Sequence, residues 1–235
     1  MLQIVLSCTN LDPARTTFFW HHVDVLHVSG HATIFTRNGA CECIKERSNV
    51  MSASTEPEVH YLKPNTCSPN SSLPVLIYRC VLPSPTTEES TTTLLTSHNW
   101  RKDGTWGHID YRHFHPNVHE CYGVVSGHSR LLLGQGQGDT DGGLEIEVKT
   151  GDVIILPAGT AHVCLQSSTS KDTDGEYRYI GVYPENGPHW RSEMGRRPLE
   201  ETKLDVEVSE VKLPEQDPVY GSDGPLMKLW TGKGD

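Results

Sequence analysis

Between residues 106 and 184, short β-prone runs succeed one another at close intervals, and this cadence constrains the fold more than any other feature. The runs are Asp110–His115, His119–Ser126, Ser129–Leu133, Leu144–Val148, Val153–Leu156, Ala161–Leu165 and Tyr177–Tyr183. Turn signals separate them: His115-Pro116-Asn117, Ser126-Gly127-His128, the glycine-rich stretch 134–143, Thr150-Gly151-Asp152 and Pro157-Ala158-Gly159. Such spacing predicts an all-β antiparallel sandwich or barrel. The stretch 134–143 lacks the Lys-Ser/Thr ending of a phosphate loop and opens no helix, so it reads as a hairpin tip.

The rest of the chain is arranged around this core. Residues 51–105 read as an N-terminal arm, with a strand over Val75–Cys80 and a short helix beginning after Ser84-Pro85, serine capping and proline in the first turn. Residues 185–235, rich in Pro and Gly, read as an irregular C-terminal tail packed on the barrel. Residues 1–50 carry four basic and four acidic residues and no sustained hydrophobic period. They are expected to be an extension, disordered or outside the functional unit, with the working protein starting near Met51.

Charge and cysteine usage narrow the function class. The net charge is −10, with 20 Lys+Arg against 30 Asp+Glu. That balance argues against nucleic acid, which needs a basic face, and there is no polybasic cluster for a membrane surface. The seven cysteines are scattered without a zinc-ribbon or zinc-finger spacing, as expected for reduced thiols in a cytoplasmic protein. No segment reads as a signal peptide or a membrane span.

Histidines and one glutamate supply the chemistry. His113 and His115 are two apart in a β-prone run, so their imidazoles project from one face. Glu120, across the Pro116-Asn117 turn, and His162, after the Gly159 bend, can reach the same point. Three imidazoles and a carboxylate suit Fe(II), Mn(II), Ni(II), Co(II) or Zn(II), and four ligands on an octahedral ion leave two positions open. Strand alternation places Tyr111 beside the His-x-His pair, Tyr122 and Val124 beside Glu120, and Cys164 and Gln166 beside His162. Tyr111 or Tyr122 could donate a hydrogen bond or a proton to a bound oxyanion. Gln166 could orient His162 or touch the ligand. Cys164 reads as a small buried hydrophobe. The same alternation turns His119 to the opposite face, as a surface or dimer-contact residue, and His108 and His128 fall in solvated turns.

Gly107-x5-His113-x-His115-x4-Glu120-x6-Gly127 resembles the first cupin motif, and Gly151-x5-Pro157-x-Gly159-x2-His162 the second. Gln166 stands where that family usually has Asn. The resemblance implies a conical jelly-roll (double-stranded β-helix) barrel of six to eight strands. One divalent metal would sit in its mouth, with His113, His115, Glu120 and His162 as ligands. Leu73–Arg79, Gly181–Pro184 and Asp217–Gly221 further resemble the small single-domain YjlB-like cupins of bacteria and fungi, over about Glu58 to Trp230. It implies a homodimer exchanging an N-terminal strand, for which Val75–Cys80 is the candidate. The YjlB-like likeness sharpens the fold more than the reaction; the cupin ligand set implies a metal-dependent enzyme acting on a small molecule, first of all an Fe(II) dioxygenase or other oxidoreductase. A redox-neutral isomerase, decarboxylase or hydrolase, and a non-catalytic small-molecule binder, stand as alternatives. The single motif pair, and Asp110 where oxalate-degrading cupins resemble one another in having arginine, argue against oxalate.

Overall fold

The computed structural model describes residues 56–232 together with two short strands, β1 (Val25–Val28) and β2 (His31–Ile34). The chain divides into two compact units, residues 1–50 and 51–235. In the first, β1 and β2 pair antiparallel; the expectation of an extension over 1–50 otherwise lies outside the described residues.

The second unit contains β3 (Glu58–His60), β4 (Val75–Tyr78), α1 (Glu88–Thr96), β5 (Trp100–Trp106), β6 (Glu120–Ser126), β7 (His128–Leu133) and β8 (Leu144–Lys149), followed by β9 (Val153–Leu156), β10 (His162–Ser167) and β11 (Arg178–Pro184). Two antiparallel sheets result, ordered β3-β4-β9-β6-β11-β5 and β10-β7-β8. From β6 onward the chain passes from the large sheet to the small one, back to the large at β9, to the small at β10, and to the large at β11. That nesting of antiparallel pairs is a jelly roll. Isolated bridges from His113 to His162 and from Phe114 to Glu193 continue the small sheet beyond β10. The segment expected as a strand over Asp110–His115 therefore brings His113 and His115 beside β10 without forming a full ladder.

Alternation assigns each strand's faces. In β7, Ser129, Leu131 and Leu133 are buried while His128 and Arg130 are exposed, and in β8 Ile146 and Val148 alternate with exposed Glu145 and Glu147. The small sheet thus has one wet face. The central strands of the large sheet, β4, β9, β6 and most of β11, have none. Val75, Ile77, Tyr122, Val124, Ile154 and Leu156 face the small sheet across one core cluster. Leu76, Tyr78, Cys121, Val153, Ile155, Ile180 and Val182 lie in a second cluster on its other side. Double coverage explains why β9 is Val-Ile-Ile-Leu without a polar break. Each fully buried aliphatic side chain contributes about 1.5–3 kcal/mol.

The cover over the second cluster comes from α1 and from the tail. α1 starts later than the Ser84-Pro85 signal predicts. Thr87 is the cap, its Oγ1 accepting from Ser90 N at 3.0 Å while Thr87 N donates to Ser90 Oγ at 3.1 Å, a reciprocal box that outcompetes a cap further upstream. The tail is more ordered than expected, holding α2 (Leu199–Thr202), α3 (Leu204–Ser209) and α4 (Pro225–Thr231). Leu226 and Trp230 of α4 enter the second cluster. Asp217 fixes the approach to α4: Oδ1 accepts from Val219 N (2.8 Å) and Tyr220 N (3.1 Å), Oδ2 from Tyr78 Oη (2.5 Å) and Leu226 N (3.1 Å). β4, the strand expected to be exchanged, here pairs with β3 and β9 of its own chain.

Candidate metal centre

His113 and His162 sit opposite one another across a two-way backbone bridge, His113 N donating to His162 O at 3.2 Å and His162 N to His113 O at 2.8 Å. Their ring centroids are 4.3 Å apart. His115, two residues on, turns its ring to the same side, 5.6 Å from that of His113. The turn before β10 depends on Gly159, whose φ of +78° suits glycine; its N–H donates to His115 O at 2.8 Å, tying the two ligand-bearing segments together. Glu120 enters as the first residue of β6. All four side chains are buried. Ligand atoms of the three histidines lie within 4.8 Å of one another. The Glu120 carboxylate reaches two of them, Oε1 lying 3.5 Å from His115 Nε2 and Oε2 3.5 Å from His162 Nε2.

Backbone carbonyls hold each ring in one tautomer. The Nδ1 atoms of His113, His115 and His162 meet the carbonyl oxygens of Tyr111 (3.1 Å), Arg191 (2.9 Å) and Thr160 (2.9 Å). A carbonyl only accepts, so Nδ1 carries the proton and each neutral ring has its lone pair on Nε2. Burial pushes His162 down to about 3, helped by the neighbouring His113, and lowers His113 as well. Burial acts in the same sense on His115, but the Glu120 charge and hydrogen bond outweigh it and raise that residue. Glu120 resists burial because His115 and His162 stand beside it, and it is held at about 2. Its Oε2 is buried without a hydrogen-bond partner, an expensive arrangement for a carboxylate unless a cation faces it. Three Nε2 lone pairs, that of His162 accepting from Tyr122 Oη at 2.9 Å, and one carboxylate oxygen without a hydrogen-bond partner fit a divalent transition metal.

The other expected site residues divide. Tyr122 is buried, with Oη 2.9 Å from His162 Nε2. Tyr111 packs its ring 5.0 Å from that of His113 but stays 47% exposed, at the rim. Val124 and Cys164 lie in the inter-sheet core. Gln166 is a correction. A register shift between Cys164 and Gln166 breaks the alternation counted from His162. Gln166 is exposed and lines a surface pocket with Arg79, His128 and Arg130, which includes none of the four expected ligands. His119 does face away from Glu120, but it is buried and not at the surface: its ring lies 4.7 Å from Trp230, and Ala158 N donates to its Nδ1 at 3.0 Å. His108 and His128 are exposed, as expected, but His128 opens β7 and does not lie in a turn.

Three contributors were not foreseen. Tyr183 Oη donates a short hydrogen bond to Glu120 Oε1, Trp190 lays its ring 5.2 Å from that of His115, and Arg191 supplies the carbonyl that fixes His115. Tyr183 is buried near the end of β11; it lies in the Gly181–Pro184 stretch of the YjlB-like resemblance, but the motif reading, centred on histidines, attached no role to it. Trp190 and Arg191 belong to the strap following β11, whose course along Phe114 is set by pairing that no sequence period reveals.

No protein-family model matches the chain. It is 26% identical over 158 residues to the uncharacterized protein YjlB of Bacillus subtilis (strain 168), an alignment covering 67% of this chain and 86% of that protein. Among solved structures it is similar to a double-stranded β-helix protein of Klebsiella pneumoniae (15% identity, TM-score 0.27, 66% of this chain and 100% of that one). It is also similar to the oxalate decarboxylase of Lactobacillus farciminis in a formate complex (13%, TM-score 0.31, 67% and 42%). A third likeness is to a Bacillus subtilis oxalate decarboxylase studied for its Mn(II) centres (17%, TM-score 0.31, 64% and 35%). The chain therefore spans less than half of either decarboxylase.

Proposed function

We propose that this protein is a mononuclear metalloenzyme acting on a small organic molecule through a divalent transition metal held by His113, His115, Glu120 and His162. One observation carries the reading: three buried imidazoles, each fixed by a carbonyl at Nδ1, converge with a carboxylate oxygen that has no other partner. A structural zinc would be expected to sit in a closed shell rich in cysteine, whereas this donor set contains no thiolate and leaves positions for a substrate.

When bound, the metal would supply Lewis-acid polarisation of a chelating substrate and, as Fe(II), the redox chemistry of an oxygenase, the reaction class we favour. The chain's own residues do the rest. Tyr122 is kept protonated by burial and by the Glu120 charge, which raise its hydroxyl well above the ordinary range; its proton is donated to His162 Nε2 here, and a metal on that nitrogen would release it as a donor for substrate oxygen. Tyr111, half-exposed at the rim, meets the incoming molecule. Trp190 covers His115 and limits water on that side. Free thiols at Cys67, Cys121 and Cys164 support a reducing, cytoplasmic setting. No helix among the described residues is long and apolar enough to cross a membrane. We also retain the homodimer as part of the proposal.

Anaerobic reconstitution with Fe(II), followed by oxygen uptake over enolisable diketones and catechols, tests the reaction class. Substrate-dependent uptake that disappears in Glu120→Gln is expected. Turnover of such compounds with Mn(II) or Zn(II) and no oxygen uptake with Fe(II) would instead establish redox-neutral chemistry.

A further inference from the structure

The two oxygens of the Glu120 carboxylate are treated differently. Oε1, 3.5 Å from His115 Nε2, accepts the hydrogen bond from Tyr183 Oη, while the buried Oε2, 3.5 Å from His162 Nε2, has no hydrogen-bond partner. Sheet register arranges this. β11 runs antiparallel to β6 with Val182 opposite Cys121, so the next residue, Tyr183, falls beside Glu120. The Tyr183 ring has little room to move: it is 1% exposed, stacks on Trp190 at 6.3 Å and 25°, and meets the His115 ring edge-on at 5.9 Å. Its hydroxyl stays protonated, because burial and the adjacent carboxylate both disfavour the phenolate. A buried tyrosine commonly finds some acceptor. Here, though, the acceptor is one half of a candidate metal ligand, and the other half is left bare.

We propose that Tyr183 is a positioning residue that makes Glu120 a one-oxygen ligand, presenting Oε2 to the metal and withholding Oε1. This rests on the metal-centre reading above. A carboxylate without such a donor can turn about its terminal torsion and chelate through both oxygens. One-oxygen binding keeps a coordination position open, so Tyr183 governs how many atoms of substrate or water the metal accepts. Four single-atom protein ligands on a six-coordinate ion leave two exchangeable positions, and a chelating Glu120 leaves one.

Mn(II) is the probe, because its electron-spin spectrum reports ligand arrangement and its water relaxivity counts exchangeable waters. Wild-type protein loaded with Mn(II) is expected to show two exchangeable waters. Tyr183→Phe keeps the ring and removes only the hydroxyl. It is expected to bind Mn(II) with an affinity changed by roughly 10–100-fold, an altered fine structure in its spin spectrum, and one exchangeable water. One water in the wild type, or a Tyr183→Phe protein with unchanged affinity, spectrum and water count, overturns the proposal while leaving the metal centre intact. Failure of the wild type to bind Mn(II), Fe(II), Co(II), Ni(II) or Zn(II) overturns the metal centre itself. The wild-type water count needs no variant, so the test holds even if the substitution impairs folding.

Discussion

His119 and Glu120 are neighbours in the chain, yet they face opposite sides of the large sheet. Alternation predicted that separation. It did not predict what His119 would meet, because the residue that covers it, Trp230, lies in a helix at the far end of the sequence. The consequence is a buried neutral imidazole, pushed by burial down to about 3. An unfolded chain protonates this group as pH falls through its ordinary value near 6.5, while the folded chain does not until about 3. Stability present above 6.5 is therefore lost on acidification across that window, at roughly 1.4 kcal/mol per pH unit for a single group. His119→Gln can still accept from Ala158 N and does not titrate. At matched metal load, its denaturant midpoint should fall less steeply than that of the wild type between pH 6.5 and 3. An identical slope would show that His119 gains a proton on its own in the folded protein. Tyr183 and Gln166 carry the same lesson. The candidate ligands could be named from spacing, but the atoms that orient their side chains come from neighbouring strands, and the bulge beside Gln166 cannot be counted from His162.

At the scale of elements, β6 to β11 were readable because each keeps a period of two or a continuous apolar run between turn residues. β5 was not. Its sequence Trp-Arg-Lys-Asp-Gly-Thr-Trp is mostly polar, as suits a sheet edge, and Gly104 sits where a Cβ would meet the Trp106 ring at 2.6 Å. Only pairing with β11 makes it a strand. The turn from β9 to β10 is the element on which the site depends most directly. A Cβ at Gly159 would lie 2.6 Å from Val208 Cγ2 and 2.9 Å from Pro69 Cγ, at a backbone angle that suits glycine. Gly159→Ala is expected to cost about 1–3 kcal/mol and, by displacing His162, to weaken metal binding by about tenfold or more. Calorimetric unfolding and metal titration check both. Unchanged stability together with unchanged affinity would mean that the turn does not set the position of His162.

Over the whole molecule, an antiparallel sandwich or barrel was legible from the cadence of strands and the jelly roll from the resemblance to the cupin motifs, whereas the covering of the large sheet's outer face was not. That covering is contributed by α1 and by a tail whose Pro and Gly content suggested irregularity, although proline at the first turn of α4 and the left-handed Gly232 after it are ordinary helix boundaries. Because the candidate ligands, Tyr183, the strap and the tail all belong to the unit spanning residues 51–235, a chain starting at Met51 should fold cooperatively and, on the proposed reading, bind metal as the full chain does. Loss of folding or of metal on removing residues 1–50 would show that these residues belong to the functional unit.

On the proposed reading, four side chains hold one metal ion. The most direct measurement of this is elemental analysis of the wild type and of His162→Ala after anaerobic reconstitution with each of Mn(II), Fe(II), Co(II), Ni(II) and Zn(II), with unbound ion removed. The wild type is expected to retain about one ion per chain of at least one of these metals, and His162→Ala to lose most of it. No stoichiometric metal in the wild type under any of these conditions, or equal retention by the variant, would contradict the account.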